Sequence, residues 1–315
     1  MTDPAESQSP CPVCGASRFT PGRYGLTRCD GCGLIVDPSV WRPGEAEQLE
    51  HEWFGEAYDP YSSRWVRLFE RWQNARTLRR LRGAGIRGGS LLEIGIGSGS
   101  FLAAAREAGF RVTGCDLSPS ICRRARDRFG VDVHCGDLAT IDRPGGFDVI
   151  VMNHVLEHTP APRGLLAAVQ GLLTPGGRIH VAVPNVDCWE AALPGWTSYE
   201  PYHLIYFTPR TLRQTLETCG LRVLSVATAE SFSGWFLAIL RSLVGRPPAS
   251  RSAAVEPGRK RPMRRVMDSA YRTAMATFGA LTWPLRAVQA RLGRGDEAIA
   301  IVAHGGRRAE PGAWR

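Results

Sequence analysis

Apolar runs alternate with amphipathic stretches along the middle of the chain, and this alternation predicts strands and helices in turn. The predicted strands are 91–94, 111–115, 131–135, 147–152, 178–183, 221–227 and 298–303. The predicted helices are 101–108, 118–129, 163–173 and 208–219, with a turn at 174–177. Strands that alternate with helices pack as a mainly parallel sheet with helices on both faces. The pattern therefore predicts an α/β fold with a doubly wound, seven-stranded, mostly parallel sheet.

A long insertion, residues 230–292, separates the last two predicted strands. It opens with an apolar run at 232–244, continues through a Pro-, Ser- and Arg-rich stretch at 246–265, and ends in an amphipathic helix at 263–292. Such a segment packs as a helical lid, pairs two copies of the chain as a homodimer, or lies at a membrane surface with arginines at the headgroups. A nucleic-acid-binding arm is a further alternative.

The remaining segments complete the predicted domain organisation. A helix over 62–81 carries an aromatic stripe, which we expect to cap the sheet; the alternative is that its aromatic face also roofs a site. The predicted units are a disordered tail at 1–10, a small cysteine ribbon at 11–37, a connector at 38–63, a core at 64–229, the insertion at 230–292, the final core strand at 293–304 and a tail at 305–315.

A glycine-rich turn follows the first predicted core strand. Glu93 stands near the end of that strand, and Gly95, Gly97 and Gly99 follow at alternate positions. Asp116 ends the second strand, about 20 residues past the first glycine. Glycines let a ligand approach the backbone, a helix N-terminus offers N–H donors, and a carboxylate can accept from ribose hydroxyls. We predict a nucleoside-binding site here.

Four cysteines form two C-x-x-C pairs, Cys11 with Cys14 and Cys29 with Cys32. Each pair places two thiolates on one tight turn, and two such pairs supply the four sulfur ligands of a closed zinc site. A redox-active pair is the alternative, and the doubled spacing argues against it. Because four thiolates leave no open coordination position, we predict a structural Zn²⁺ that folds a small ribbon.

The chain has a formal charge of +9 and a pI near 9.4, which indicates anionic partners or a membrane surface. Lys260 is the only lysine, so the charge is almost entirely arginine and also reflects composition. The N-terminus carries no apolar signal segment, and no run reaches the roughly 20 apolar residues of a spanning helix. We therefore expect a cytoplasmic protein, at most peripheral to a membrane, with reduced cysteines.

Two further stretches carry candidate chemistry. His154, Glu157 and His158 follow the fourth core strand and share one face if a helix begins there. Residues 185–207, the aromatic loop, surround His203 with tryptophan and tyrosine. Because ligands of this fold bind beyond the carboxyl ends of the strands, the loop should face a flat or lipophilic ligand. His203 and His158 are candidate general bases; a helix cap or a backbone hydrogen bond is the alternative role of His203.

The ordered series of motifs resembles the class I S-adenosylmethionine (SAM)-dependent methyltransferases. The matching motifs are Glu93-x-Gly95-x-Gly97-x-Gly99, Asp116, Gly136-Asp137, Phe147–Met152, Leu173–Gly177 and His203–Thr208. The resemblance covers about residues 64–228 plus the terminal strand, and implies a Rossmann-like methyltransferase fold. A dehydrogenase is disfavoured, because Ser100 stands where its fingerprint has a third glycine. The implied SAM contacts are Glu93, Gly95, Gly97, Gly99, Asp116 at the ribose, Leu117, Asp137 at the adenine, Leu138 and Asn153.

Residues 154–158 are similar to ubiquinone-pathway O-methyltransferases, in which an acid-x-x-Glu-His set can hold a divalent metal. Here His154 replaces the first acid. The resemblance therefore implies either a divalent metal near His154, Glu157 and His158, or a pocket that the last two residues shape by hydrogen bonds. Sugar C-methyltransferases also carry an N-terminal cysteine module before this type of domain.

We therefore expect an enzyme that methylates a small-molecule, sugar or lipid-linked acceptor. One alternative is an RNA methyltransferase that uses the cysteine ribbon, as some ribosomal-RNA guanine methyltransferases do. The ribbon holds only three positive residues, and no Asn/Asp-Pro-Pro-Tyr motif follows the fourth strand, so nucleic acid is the less favoured partner. A second alternative is a non-catalytic subunit with the same fold.

Overall fold

The computed structural model describes residues 10–42, 61, 64–200, 202–231, 234–244 and 264–305. The two predicted tails, most of the predicted connector and most of the Arg-rich stretch at 246–265 lie outside the described residues.

Eleven strands and seven helices are described. The strands are β1 (Phe19–Pro21), β2 (Thr27–Cys29), β3 (Ile35–Val36), β4 (Gly89–Ile94), β5 (Phe110–Asp116), β6 (Val133–Cys135), β7 (Phe147–Asn153), β8 (Leu173–Pro184), β9 (Ile205–Tyr206), β10 (Arg222–Ala229) and β11 (Glu297–Ala303). The helices are α1 (Arg64–Gly83), α2 (Ser100–Glu107), α3 (Pro119–Phe129), α4 (Pro162–Gly171), α5 (Pro209–Thr218), α6 (Gly234–Leu243) and α7 (Arg264–Arg291).

The central sheet has seven strands in the order β10-β11-β8-β7-β4-β5-β6. β4 pairs in parallel with β5 and β7, whereas β11 is antiparallel to both β8 and β10. The predicted seven-stranded, mostly parallel sheet is therefore confirmed, and its last two strands in the chain, β10 and β11, pair antiparallel. β4 and β7 lie at its centre, which explains their continuous apolar runs: Leu91, Leu92 and residues 149–152 are fully buried.

The predicted turn at 174–177 is wrong, because these residues belong to β8. β8 begins at Leu173, which pairs with Phe147, and its regular pairing with β7 resumes at Arg178 beside Val149. The extra residues form an irregular stretch within the strand. A Cβ on Gly177 would lie 2.7 Å from the Leu173 side chain, so the tight chain path there requires glycine.

A second, four-stranded sheet has the order β1-β2-β3-β9. Its first three strands come from the cysteine ribbon, and β9 comes from the aromatic loop after β8. The sequence pattern did not predict this sheet, because β3 and β9 each have only two residues and lie far apart along the chain.

The two helices α6 and α7 lie between β10 and β11 in the chain and pack against each other. Trp235 donates through Nε1 to Oε1 of Gln289 at 2.7 Å, and the rings of Phe236 and Phe278 are 5.7 Å apart. α7 continues through Pro284. In the described segments, every helix is too short or too polar to cross a bilayer.

His180 is fully buried in the middle of β8, and neither ring nitrogen has a hydrogen-bond partner among the described residues. Burial lowers its pKa to about 4; the charge of Arg80 acts in the same direction and that of Glu297 opposes it. Between pH 6.5 and pH 4, His180 is protonated in the unfolded chain but stays neutral in the folded chain. Folding stability therefore falls as the pH drops through this window.

We predict that His180→Leu reduces this acid sensitivity. Between pH 7 and pH 5 the variant should lose about 2 kcal/mol less unfolding free energy than the wild type. Urea unfolding at the two pH values measures the difference. His134→Gln, at a partly exposed histidine on β6, is the control and should follow the wild type. An equal loss in wild type and His180→Leu would contradict the assignment.

Candidate active site

The carboxyl ends of β4, β5, β6, β7 and β8 lie along one edge of the central sheet, because these strands run in parallel. Ligands of doubly wound folds bind beyond this edge. The structure brings together here the glycine turn after β4, Asp116 at the end of β5, Asp137 after β6 and residues 153–158 at and after the end of β7.

The glycine turn is held in a conformation that excludes side chains. Gly95 has a φ of 70°, and a Cβ there would lie 2.6 Å from Cγ2 of Val155. Asp116 accepts from the backbone N–H of Ile96 at 3.1 Å and from that of Ser118 at 2.9 Å. The carboxylate predicted to bind ribose therefore also fixes the turn.

Glu70 of α1 supports the same turn from another side. Its Oε2 accepts hydrogen bonds from Oγ of Ser98 and Oγ of Ser100, both at 2.7 Å. These serines alternate with Gly97 and Gly99, both of which have positive φ. Glu70 was not predicted as a site residue, although it is the only acidic residue in α1. This isolated acidic residue is the feature of the sequence that could have identified it as a site residue.

Glu93 supplies a buried, incompletely paired carboxyl group beside the turn. It is 4% exposed, and its Oε2 has no hydrogen-bond partner among the described residues. Burial raises its pKa well above the usual range, and the charges of Asp116 and Glu70 add to the shift. A positively charged ligand beside Glu93 would stabilise its ionised carboxylate. SAM carries a sulfonium and an ammonium group, so the residues present fit that cofactor.

The predicted adenine-binding residues stand beyond β6. Asp137 caps the helical turn Leu138–Thr140 by accepting a backbone hydrogen bond at 2.7 Å. Leu138 is buried, whereas Leu117, after β5, is 70% exposed and presents apolar surface at the edge. Asn153 ends β7 and is half-buried. The geometry puts all four at the sheet edge, and their contacts with the cofactor stay predictions.

The segment after β7 forms a turn and not the predicted start of a helix. His154 has a φ of 56°, in the left-handed region that residues with side chains rarely adopt. The expectation that His154, Glu157 and His158 share a helical face is therefore wrong. The left-handed residue turns the imidazole of His154 toward Glu297, whose Oε1 lies 3.2 Å from its Nε2.

Glu157, His158 and His203 come together instead, and we call them the His–Glu cluster. Each offers one ligand atom, and these atoms lie within 4.8 Å of one another. Glu157 is fully buried, and its Oε2 has no hydrogen-bond partner among the described residues. The rings of the two histidines are 4.9 Å apart. Two imidazoles and one carboxylate can share a proton or hold a divalent metal.

Backbone carbonyls fix the tautomers of both histidines. Nδ1 of His158 donates to the carbonyl of Tyr202 at 3.2 Å, and Nδ1 of His203 donates to that of Ser198 at 2.7 Å. A carbonyl only accepts, so the lone pair of each neutral ring is at Nε2. Burial, with the charge of His158, lowers the pKa of His203 to about 4. His203 is therefore neutral near pH 7.

His154 links the His–Glu cluster to β11. Its Nδ1 lies 3.2 Å from Oε1 of Glu157, and its Nε2 the same distance from Glu297. Desolvation opposes a charge on this ring, yet the two carboxylates outweigh it and raise the pKa of His154 well above its ordinary value. The side chain is 44% exposed, so solvent weakens both pairs. Glu297 was not predicted, because only the β8–β11 pairing brings it here.

Most aromatic side chains of the aromatic loop are structural. Trp196, Tyr199 and Tyr206 are buried in one cluster with Leu26 of the cysteine ribbon. Tyr202 stacks on His158 with the rings 5.5 Å apart. The aromatic side chains that the loop can still present to a ligand are therefore Tyr202, beside the His–Glu cluster, and Trp189, which is 43% exposed.

The four predicted metal ligands of the cysteine ribbon meet at one point. The sulfurs of Cys11 and Cys32 are 3.7 Å apart, those of Cys14 and Cys29 are 3.5 Å apart, and all four lie within 4.8 Å of one another. Tetrahedral Zn–S bonds of about 2.3 Å would space the sulfurs about 3.8 Å apart. The arrangement therefore fits a tetrahedral metal ion.

The cysteine ribbon is joined to the aromatic loop by backbone pairing. Ile35 pairs with Tyr206 and Val36 with Ile205, and the N–H of Asp37 donates to the carbonyl of Leu204 at 2.9 Å. Since Leu204 directly follows His203, the ribbon borders the segment that carries a residue of the His–Glu cluster.

A family model described as "Methyltransferase domain" matches residues 65–226, about half of the chain. The chain belongs to this family. The resemblance to class I SAM-dependent methyltransferases, predicted from the motifs, is confirmed.

The methyltransferase domain has relatives of known name. The ubiquinone biosynthesis O-methyltransferase of Idiomarina loihiensis is 31% identical over 139 residues, which cover 41% of this chain and 55% of that protein. The ubiquinone biosynthesis O-methyltransferase of Xanthomonas euvesicatoria pv. vesicatoria is 33% identical over 106 residues, which cover 31% of this chain and 44% of that protein. The chain thus matches about half the length of these curated relatives. A solved SAM-dependent methyltransferase from Archaeoglobus fulgidus aligns with a TM-score of 0.46 at 17% identity, covering 76% of this chain and 99% of that one.

We predict that Glu93→Gln weakens SAM binding at least tenfold, or about 1.4 kcal/mol, because the amide cannot compensate the charge of the cofactor. Calorimetric titration with SAM measures the change. Asp132→Asn is the matched control, since this exposed residue lies away from the glycine turn and should leave the affinity unaltered. Equal affinities of Glu93→Gln and wild type would show that the carboxylate does not face the cofactor.

Proposed function

We propose that this protein transfers a methyl group from SAM to a small-molecule acceptor. The observation that carries the proposal is the position of the His–Glu cluster. Glu157 and His158 follow β7 in the turn whose Val155 lies against Gly95 of the glycine turn, and His203 joins them from the aromatic loop. A cofactor-binding turn and a proton-accepting group thus share one edge of the sheet. The cofactor supplies the methyl group as a substituent of a positively charged sulfur.

His158 is the proposed general base. The acceptor's oxygen, nitrogen or carbon takes the methyl group, and its proton passes to Nε2 of His158. His158 is half-buried and reachable, whereas His203 is 8% exposed and has a lowered pKa, so it accepts a proton less readily. The buried carboxylate of Glu157 stabilises the resulting imidazolium.

A divalent metal in the His–Glu cluster is the second candidate role of these residues. Both Nε2 lone pairs and the carboxylate of Glu157 would be its ligands, which suits a transition metal better than Mg²⁺. Such an ion would orient a hydroxylated acceptor and lower the pKa of its hydroxyl group. His154 has no place in this set, because its two nitrogens are directed at Glu157 and Glu297.

A lipophilic or lipid-linked acceptor is supported by an exposed apolar face on α7. Leu281, Leu285 and Val288 recur along one side of the helix and are 76%, 51% and 45% exposed, and Leu292, directly after the helix, is 63% exposed. Arg291 lies exposed beside this face, and the chain is strongly basic, which favours an anionic membrane surface as its partner. The alternative occupant is a second copy of the chain, which analytical ultracentrifugation would detect.

The cysteine ribbon is proposed to hold a structural Zn²⁺ through Cys11, Cys14, Cys29 and Cys32. Zinc binding would stabilise a module of three very short strands. For the RNA alternative, the ribbon offers only three exposed arginines as phosphate contacts, Arg18, Arg23 and Arg28. One side of the ribbon is also occupied by the aromatic loop.

Labelled-SAM transfer to fractions of the host extract tests the proposal. We expect label in the small-molecule or lipid pool and His158→Ala to lower kcat at least 100-fold, with SAM affinity unchanged. His134→Ala, at a histidine outside the His–Glu cluster, is the control. Label confined to RNA would establish the alternative acceptor. Absence of SAM binding would instead support a non-catalytic subunit.

We predict that removal of the ribbon metal loosens the aromatic loop and leaves the cofactor site intact. Cys29→Ser should raise amide hydrogen exchange at Tyr206, which pairs with Ile35 of the ribbon, but not in β4 and β5. SAM affinity should stay within twofold. Cys135→Ser, at an exposed cysteine outside the ribbon, is the control. Unchanged exchange at Tyr206 would mean that the loop holds its position without the metal.

A further inference from the structure

A second group of acidic side chains lies at the same edge of the central sheet. Glu190 stands on the short helical turn Trp189–Ala192 of the aromatic loop, Glu230 follows β10, and Asp296 precedes β11. Their carboxylates offer oxygens within 4.8 Å of one another. Glu190 and Glu230 are each only 2% exposed.

Two of the three carboxylates have strong partners. Nη2 and Nε of Arg286 donate to Oε2 of Glu230 at 3.0 and 3.1 Å. The N–H of Ser231 donates to Oδ1 of Asp296 at 2.8 Å, and its hydroxyl donates to Oδ2. Because Arg286 lies on α7, its ion pair with Glu230 holds this helix against the edge of the sheet.

The two carboxylate oxygens of Glu190 differ in their hydrogen bonding. Gln289 of α7 donates to its Oε2 at 2.7 Å, whereas its Oε1 has no hydrogen-bond partner among the described residues. This oxygen faces Asp296. A Cβ added to Gly234 would lie 3.1 Å from Oε1 of Glu190 and 2.8 Å from Oδ2 of Asp296. A buried, unpartnered oxygen is therefore directed into the acidic group.

The charges of this group do not balance. Three carboxylates have one guanidinium, that of Arg286, as a side-chain partner, and Arg76 of α1 adds a second positive charge nearby, since its Nη1 donates to the backbone carbonyl of Glu230 at 2.6 Å. The group still carries one negative charge more than these two arginines supply, in a largely buried space. Burial, with the neighbouring carboxylates, raises the pKa of Glu230 to about 9 and that of Asp296 to about 6. Protons can therefore neutralise the group, and a divalent cation that displaces them would do so too.

We propose that Glu190, Glu230 and Asp296 bind a divalent cation of the oxygen-seeking class, Ca²⁺ or Mg²⁺. Carboxylate oxygens are the ligands these ions prefer, and Ca²⁺ at about 2.4 Å from each oxygen spans opposite ligands about 4.8 Å apart. The bound ion ties the aromatic loop, the end of β10 and the start of β11 into one unit with α7. Its site is separate from the His–Glu cluster and from the cysteine ribbon.

Calorimetric titration of the full, zinc-loaded chain with CaCl₂ and, separately, MgCl₂ tests the proposal. We expect saturable binding of one ion per chain, and heats that differ between two buffers because protons are released. Glu190→Gln should weaken binding at least tenfold. Glu200→Gln is the matched control, since Glu200 is a mostly buried acid of the same loop that pairs with Arg241 instead.

Asp296→Asn is a second variant with the same expected loss, and unchanged SAM affinity verifies that each variant is folded. Absence of saturable binding of either ion by the wild type at millimolar concentration would overturn the proposal. Equal affinity of the wild type and both variants would do so as well, because the ion would then lie elsewhere. The readout is ion binding, so a negative result leaves the proposed methyl transfer standing.

Discussion

Parallel pairing of β4 with β5 and β7 is the constraint on which the site depends. It brings the ends of these strands to one edge, where Asp116 and the turn after β7 meet the glycine turn. Several acidic groups lie at this edge. In the described part of the chain, one buried carboxylate oxygen of Glu93 and one of Glu157 have no hydrogen-bond partner. Burial disfavours the charged form of such carboxylates, so binding of a proton or of a positively charged ligand next to them is favourable.

The cysteine ribbon is an integral part of this arrangement. Its third strand pairs with β9, which begins two residues after His203 of the His–Glu cluster. Leu26 of the ribbon packs among buried aromatic side chains of the same loop. A module that appears in the sequence as an N-terminal attachment therefore helps to position one wall of the proposed acceptor site, because backbone pairing transmits its position to the loop.

Local patterns predicted the elements that depend on local forces. The strands of the central sheet followed from continuous apolar runs, and the glycine turn and the cysteine pairs followed from spacing. Prediction failed where distant segments decide the conformation. The stretch at 174–177 has the composition of a turn, yet it lies within β8 as an irregular stretch between the pairs Phe147–Leu173 and Val149–Arg178. His154 reads as part of a helical face, yet its positive φ turns it toward Glu297.

The sequence by itself determined the fold class, the glycine turn and the two C-x-x-C pairs, because periodicity and spacing encode these features within short stretches. Only the tertiary structure decided which polar groups meet. It joined His203 to Glu157 and His158, placed Glu70 under the glycine turn, and gathered Glu190, Glu230 and Asp296 from three separate segments. The physical reason is that contacts across a sheet edge depend on strand order and register, which no local pattern records.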